Sequence, residues 1–108
     1  MNKEKVFAIL NQTIWNDDND SNVVAITKDV NIAQTIFHQL VGKVKKKLDF
    51  DNLYFVSNSQ EIGYLYDEGK DYFFICTNGS EDDIYILIKI SEHELVKEIK
   101  QEKEIEIN

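Results

Sequence analysis

Between residues 53 and 90 the apolar residues no longer recur at helical intervals, and their spacing changes to a period of two. A period of two is typical of strands, because successive side chains of a strand point to opposite faces. Short links rich in Asn, Asp, Gly and Ser separate the alternating segments, and links this short join antiparallel strands. The pattern therefore predicts an antiparallel meander with strands at 53–57, 61–66, 71–77 and 84–90.

The first 48 residues show helical spacing at two places. Apolar residues recur at helical intervals over residues 3–15, which predicts a first helix, and the polar run 16–22 is expected to end it as a loop. A β-branched run at 23–27 predicts a short strand buried on both faces. A second helix is predicted from an N-cap at Asp29 to about Leu48, with one wide apolar face.

A last helix is predicted to begin near Ser91, where Ser91 and Glu94 have the spacing of a capping box. Residues 104–107 alternate strictly and are compatible with helix, with a short edge strand or with a frayed tail. The expected fold class is therefore α+β, in the order α-β-α-β-β-β-β-α, with an antiparallel sheet packed by helices. At 108 residues the chain has the length of a single small domain, residues 1–108.

The single cysteine, Cys76, excludes an intrachain disulfide and a metal site built from several thiolates. One thiol is compatible with a reducing cytosol. The apolar run at 6–10 is too short for the core of a signal peptide, and no run approaches the roughly 18 apolar residues of a membrane span. We therefore expect a cytoplasmic protein that does not contact membranes.

Charge is unevenly distributed along this acidic chain, which has a formal net charge of −8 and no arginine. Residues 1–48 contain seven Lys and five acidic residues, whereas residues 49–108 contain five Lys and fifteen acidic residues. The second half should repel nucleic acid and attract basic surfaces. Without guanidinium groups the chain also lacks a bidentate grip on phosphate, so direct nucleic-acid binding is not expected.

One acidic segment has part of the spacing of a calcium loop. Asp18, Asp20 and Asn22 fit positions 1, 3 and 5 of an EF-hand loop, but Val23 stands where the sharp turn needs glycine. These three residues are weak metal candidates, and a solvated acidic turn is the simpler interpretation.

No other motif supports catalysis or a cofactor. His93 and Glu94 begin a zinc-helix pattern, but Lys97 replaces the second histidine. His38 is expected on a helix surface and Cys76 in the core, where a buried thiol is inert. The glycines form no phosphate-binding pattern. We therefore expect neither an enzyme nor a bound cofactor.

Two features favour protein binding. The strands of the second half are apolar on both faces, so one face packs the helices and the other needs either a second layer of helices or a partner. A homodimer through the sheet would supply such a partner. Glutamates also recur every four residues at 94, 98, 102 and 106, which aligns them on one side of a helix. The predicted partner-binding residues are Glu94, Glu98, Glu102, Asp82, Asp83, Tyr64, Tyr66 and Tyr85.

From these features we predict an acidic protein-binding module. The specific hypothesis is an inhibitor or immunity-type protein that blocks a basic, nucleic-acid-handling site on its partner, with carboxylates steering the encounter and tyrosines as buried anchors. The alternative is a small ligand-sensing or regulatory α+β domain, which can be homodimeric. A concave apolar pocket would be the signature of that alternative.

Overall fold

A computed structural model describes residues 4–58, 60–79 and 83–95. In this part the chain forms two strands, a long helix and three further strands. They are β1 (Glu4–Trp15), β2 (Asp18–Thr27), α1 (Val30–Leu48), β3 (Gly63–Glu68), β4 (Tyr72–Asn78) and β5 (Ile84–Leu95), with a short 3₁₀ turn at Phe50–Asn52 after α1. The strands make one antiparallel sheet in the order β2-β1-β5-β4-β3.

The predicted order of elements is wrong at three places. The residues expected to form the first helix, 3–15, form β1 from Glu4 onward. Residues 53–57 contribute only an isolated bridge between Phe55 and Tyr64. The predicted last helix, from Ser91, instead begins as a continuation of β5 to Leu95, and its remainder lies outside the described residues.

The prediction fails at β1 because this strand is apolar on both faces. Val6 and Leu10 point to one side of the sheet, and Phe7 and Ile9 to the other. A strand of this kind has no period of two, and its neighbouring apolar residues also satisfy a helical stripe. Pairing with β2 on one edge and β5 on the other decides the outcome, because it satisfies the backbone of β1 on both sides.

The polar run expected to be a loop is mostly strand. Only Asn16 and Asp17 form the turn, with Asn16 at a φ of 56°, a left-handed conformation that asparagine tolerates. Strand β2 then begins at Asp18 and lies at the edge of the sheet, where solvent reaches its polar side chains. The strand predicted at 23–27 is the second half of β2, but the prediction that both its faces are buried is wrong. Val23 and Ile26 are exposed because β2 is an edge strand.

The predicted second helix is confirmed. Asp29 caps α1 by accepting hydrogen bonds from the backbone N–H groups of Asn31 (2.8 Å) and Ile32 (3.3 Å). The helix ends where Asp49 adopts a φ of 55°, and lysines fill its last turn. In the described part of the chain, no helix combines the length and apolar character needed to cross a membrane.

The core lies between α1 and one face of the sheet, which we call the covered face. Helix α1 crosses β5, β1 and β2 on this side. Phe50 packs on Tyr66 of β3 and Phe73 of β4, and residues 54–56 hydrogen-bond along the outer edge of β3. Strand register brings apolar side chains from three strands to the covered face opposite the apolar stripe of α1. The buried residues of this core are Ile9, Ala33, Phe37, Val41, Leu48, Phe73, Ile75, Ile84, Ile86 and Ile88.

Candidate protein-interaction surface

The other side of the sheet, which we call the open face, has no helix packed against it within residues 4–58, 60–79 and 83–95. Its members follow from the strand register, because directly paired residues share a face. Its residues are Glu4, Val6, Ala8, Leu10, Gln12 and Ile14 of β1, Asn19, Ser21, Val23 and Ile26 of β2, Tyr85, Leu87, Lys89, Ser91 and His93 of β5, Tyr72, Phe74, Cys76 and Asn78 of β4, and Gly63, Leu65 and Asp67 of β3.

An apolar row crosses the open face, and Gln12, Asp67 and Lys89 lie in the two rows beside it. One row across four strands joins Ile14, Tyr85, Cys76 and Leu65. The Tyr85 ring meets that of Phe74 edge-on, with centroids 5.4 Å apart. Burial raises the pKa of the Cys76 thiol, which therefore stays protonated and contributes to the face as a small apolar group.

The apolar surface reaches the edge of the sheet at β2. Val23 is 51 % exposed and Ile26 is 66 % exposed, and both belong to the open face. A large apolar side chain this exposed is ordinary when it stands alone. Here Val23 pairs with Leu10 and Ile26 pairs with Ala8, so exposed apolar side chains extend this face to its edge. Apolar surface that gathers in this way marks interaction sites.

The open face is almost neutral even though the chain is acidic. Asp67 and Lys89 are the charged side chains in its middle, and Asp67 accepts a hydrogen bond from the Tyr72 hydroxyl (3.1 Å). At one end of the face, Glu4 forms an ion pair with Lys28, with Nζ and Oε2 2.9 Å apart. An acidic array is therefore not what this face presents to a partner.

The structure distributes the predicted partner-binding residues over different surfaces. Tyr85 lies on the open face, whereas Tyr64 and Tyr66 lie on the covered face. Asp83 is at the start of β5, and Glu94 is paired with a residue of β1 near the other end of that strand. Glu98, Glu102, Asp82 and residues 104–107 lie outside the described residues. An acidic partner-binding stripe stays a prediction.

Tyr66 belongs to an aromatic cluster that fastens the segment 50–56 to the sheet. Its ring centroid lies 5.0 Å from that of Phe50 and 5.3 Å from that of Phe55. Its hydroxyl donates a hydrogen bond to Glu68, and burial together with this bond raises the pKa of Tyr66 to about 12. These contacts explain the aromatic ring at Tyr66 without a partner protein. They could not be predicted from the sequence, because they depend on where the segment 50–56 packs.

Glu68 connects this cluster to α1. Its Oε1 atom lies 3.0 Å from Nζ of Lys45, which also sits 4.8 Å from the centroid of the Phe50 ring. Burial disfavours the charged form of Glu68, but hydrogen bonds from Tyr66 and Lys45 outweigh this effect and lower its pKa below the usual 4.5. The charged carboxylate therefore stabilises the folded state.

We predict that Glu68→Gln reduces stability by about 1 kcal/mol at neutral pH, a modest value because the ion pair is partly exposed. A lowered pKa contributes stability that is present above the usual value and disappears as the pH falls through the folded-state pKa. The gap between wild type and Glu68→Gln should therefore close below pH 4.5. Urea denaturation at several pH values measures it, with Asp51→Asn at an exposed position as control. A gap that persists undiminished in acid would contradict this assignment.

A shallow groove of about 360 Å³ lies between α1 and the β1–β2 hairpin. One wall carries a polar chain in which Thr13 donates to Oδ1 of Asn11 (2.9 Å) and Asn11 donates to Oδ1 of Asn22 (3.2 Å). On the other wall, Nζ of Lys47 lies 4.4 Å from the centroid of the Trp15 ring. The groove combines an apolar floor with amide and ammonium donors, and the Asp20 carboxylate also lines it. It therefore suits a small molecule that has an anionic group for the lysines and a hydrogen-bond donor for Asp20.

The weak metal candidates lie along an extended strand rather than in a loop. Asp18, Asp20 and Asn22 are alternate residues of β2, roughly 6.7 Å apart along the strand. Across the described ranges, no three His, Cys, Asp or Glu side chains come together in a group that could hold a metal ion. His38 is exposed and packs edge-on against the Phe37 ring, with centroids 5.3 Å apart.

No protein-family model, curated protein or solved structure matches this chain. Its function must therefore be inferred from its own surfaces.

Proposed function

We propose that this protein is a protein-binding module and that the open face is its docking surface. The observation that supports this role is the apolar row from Ile14 to Leu65, with exposed Val23 and Ile26 at the edge, on the side of the sheet opposite α1. Soluble monomers rarely leave a contiguous patch of more than a few hundred square ångströms in water, and larger patches mark interaction sites. The described part of the chain has one helix layer for a sheet that is apolar on both faces.

The centre of the open face has the composition of an interface core. Leu87 lies on the central strand between Gln12 of β1 and Phe74 of β4. Phe74 and Tyr85 lie beside it together with Gln12, and Lys89 is the one charged side chain next to it on β5. Charged residues are likewise sparse at the buried centre of protein interfaces. Tyr85 and Phe74 are the large anchors that such a centre uses.

The net charge of the chain favours a basic protein as the partner of this module. Asp17, Asp18 and Asp83 gather at one end of the sheet, where the backbone N–H of Asn16 donates to the carbonyl of Asp83 (2.6 Å). These carboxylates lie outside the open face, so they would steer a basic protein toward the module without being buried against it. An inhibitor of a basic site is one protein of this kind.

Photo-crosslinking tests the docking role directly. A benzophenone side chain placed at Leu87 should give adducts of one discrete mass in extracts of the source cells. The same group at Gln39, on the exposed side of α1, is the matched control and should give none. A basic partner would give adducts whose yield falls at high salt. The absence of adducts from position 87, or equal labelling from both positions, would contradict the proposal.

Ligand sensing is the second candidate function, and the groove beside α1 is the observation that favours it. The chain has a single tryptophan, Trp15, which lines this groove. Binding of a small anionic molecule there should change the Trp15 fluorescence. If a panel of carboxylates and phosphates leaves that signal unchanged, the groove gives no support to this candidate.

A further inference from the structure

We propose that the open face packs against the open face of a second copy of this chain, which makes the protein a homodimer. This proposal rests on the docking role of the open face and specifies the partner. Two sheets packed face to face, about 10 Å apart with interdigitating side chains, are a standard arrangement of protein cores. An isologous pair also uses one surface twice, so the patch needs only to complement itself.

The size of the open face matches what a stable dimer buries. Five strands about 4.8 Å apart, with about eight residues at 3.3 Å along each, give a face of roughly 24 by 26 Å. Its projected area is thus about 600 Å², and the accessible area of a surface with side chains is larger than its projection. A standard interface takes about 800 Å² from each partner.

The described part of the chain places no segment over the open face. Helix α1 and Phe50 both pack on the covered face. Residues 4–58, 60–79 and 83–95 therefore leave the open face available to a second copy.

Charge favours a second copy over a basic protein on this particular face. Asp67 and Lys89 nearly cancel in the middle of the open face, and Glu4 at its end is paired with Lys28. Two acidic chains can therefore meet here without placing an array of carboxylates against another. A Lys-rich or Arg-rich partner would find no such array to bind. The acidic end of the sheet stays free for it.

Substitution at the centre of the face separates this proposal from its alternatives. Leu87→Lys adds a cation to each copy in the middle of the packed sheets, while the residue itself is only half-buried in the protomer. Leu10→Lys repeats the test on β1, in case the first variant does not fold. Gln39→Lys makes the same change in charge on the exposed side of α1 and is the matched control.

Sedimentation equilibrium and the reaction rate of Cys76 with a thiol reagent are measured on the same samples. Cys76 is the single thiol and lies on the open face, so a second copy would shield it. Wild type and Gln39→Lys should approach twice the mass of one chain as concentration rises, with Cys76 reacting more slowly as they do. Leu87→Lys should keep the mass of one chain, with a faster reaction that does not depend on concentration.

Three results would overturn the proposal, and each supports a different alternative. A monomeric wild type whose Cys76 reacts as fast as that of Leu87→Lys excludes the second copy and leaves the face open for another protein. A monomeric wild type whose Cys76 is shielded at every concentration means that the chain covers its own face, which also removes the proposed function. A dimer that persists in both Leu87→Lys and Leu10→Lys places the dimer contact elsewhere.

Discussion

Replacing Phe37 by alanine should lower the free energy of unfolding by about 3–5 kcal/mol. Phe37 is fully buried in the middle of α1 and is the largest side chain that the helix contributes to the core. Its loss removes apolar area from the core and leaves a cavity beneath the helix, because the surrounding side chains close only part of the space. A domain of this size has about 5–15 kcal/mol in total, so the variant should be close to unfolding.

Urea denaturation followed by circular dichroism measures this loss. Gln39→Ala, two residues further along α1, is the control because Gln39 is exposed and its substitution should change stability by less than about 0.5 kcal/mol. Both variants introduce alanine, a strong helix former, into α1. They therefore differ mainly in whether the replaced side chain is buried. Equal losses in the two variants would mean that α1 does not pack its Phe37 side on the sheet.

Ile86→Lys should prevent folding at neutral pH. Ile86 is 1 % exposed on the covered face, between Thr13 of β1 and Ile75 of β4 in the register. A lysine there would bury an ammonium group with no carboxylate among these neighbours, which costs several kcal/mol even after the structure relaxes. Lost packing adds to that cost, so the effect should exceed that of Phe37→Ala.

The conservative substitution at the same position is the control for Ile86→Lys. Ile86→Val removes one methyl group from the same site and should cost only about 0.5–1.5 kcal/mol. Circular dichroism and urea denaturation of both variants compare a change of charge with a change of volume. A cooperative, native-like transition in Ile86→Lys would show that solvent reaches the covered face.

Local signals predict the second helix well and the two longest strands poorly. In α1, the apolar period and the Asp29 cap both predict a helix, and packing against the sheet requires a helix at the same place. At Ser91 the capping-box pattern is a real local preference, but β5 continues and pairs Ser91 with Ala8. The backbone hydrogen bonds of a central strand outweigh a cap that contributes about 1 kcal/mol. Sequence periodicity cannot reveal such pairing between distant segments.

The sequence predicts that a second apolar face exists, but it does not predict which residues form that face. Apolarity on both faces of the later strands predicts that the second face of the sheet needs a cover, and this stays a prediction. Which tyrosines belong to that face depends on where α1 and the segment 50–56 pack, and this puts Tyr66 on the covered face and Tyr85 on the open face. The open face is also larger than the sequence implies, because β1 is a strand and not a second covering helix.

The most direct test of the open face compares lysine at two adjacent positions of β5, Ile86 and Leu87. The measurement is urea denaturation of both variants and wild type at protein concentrations low enough for single chains to predominate. We expect Leu87→Lys to unfold cooperatively near the wild-type midpoint and Ile86→Lys to show no folded baseline. If Leu87→Lys fails to fold as Ile86→Lys does, position 87 lies inside the protomer's own core and the sheet has no open face.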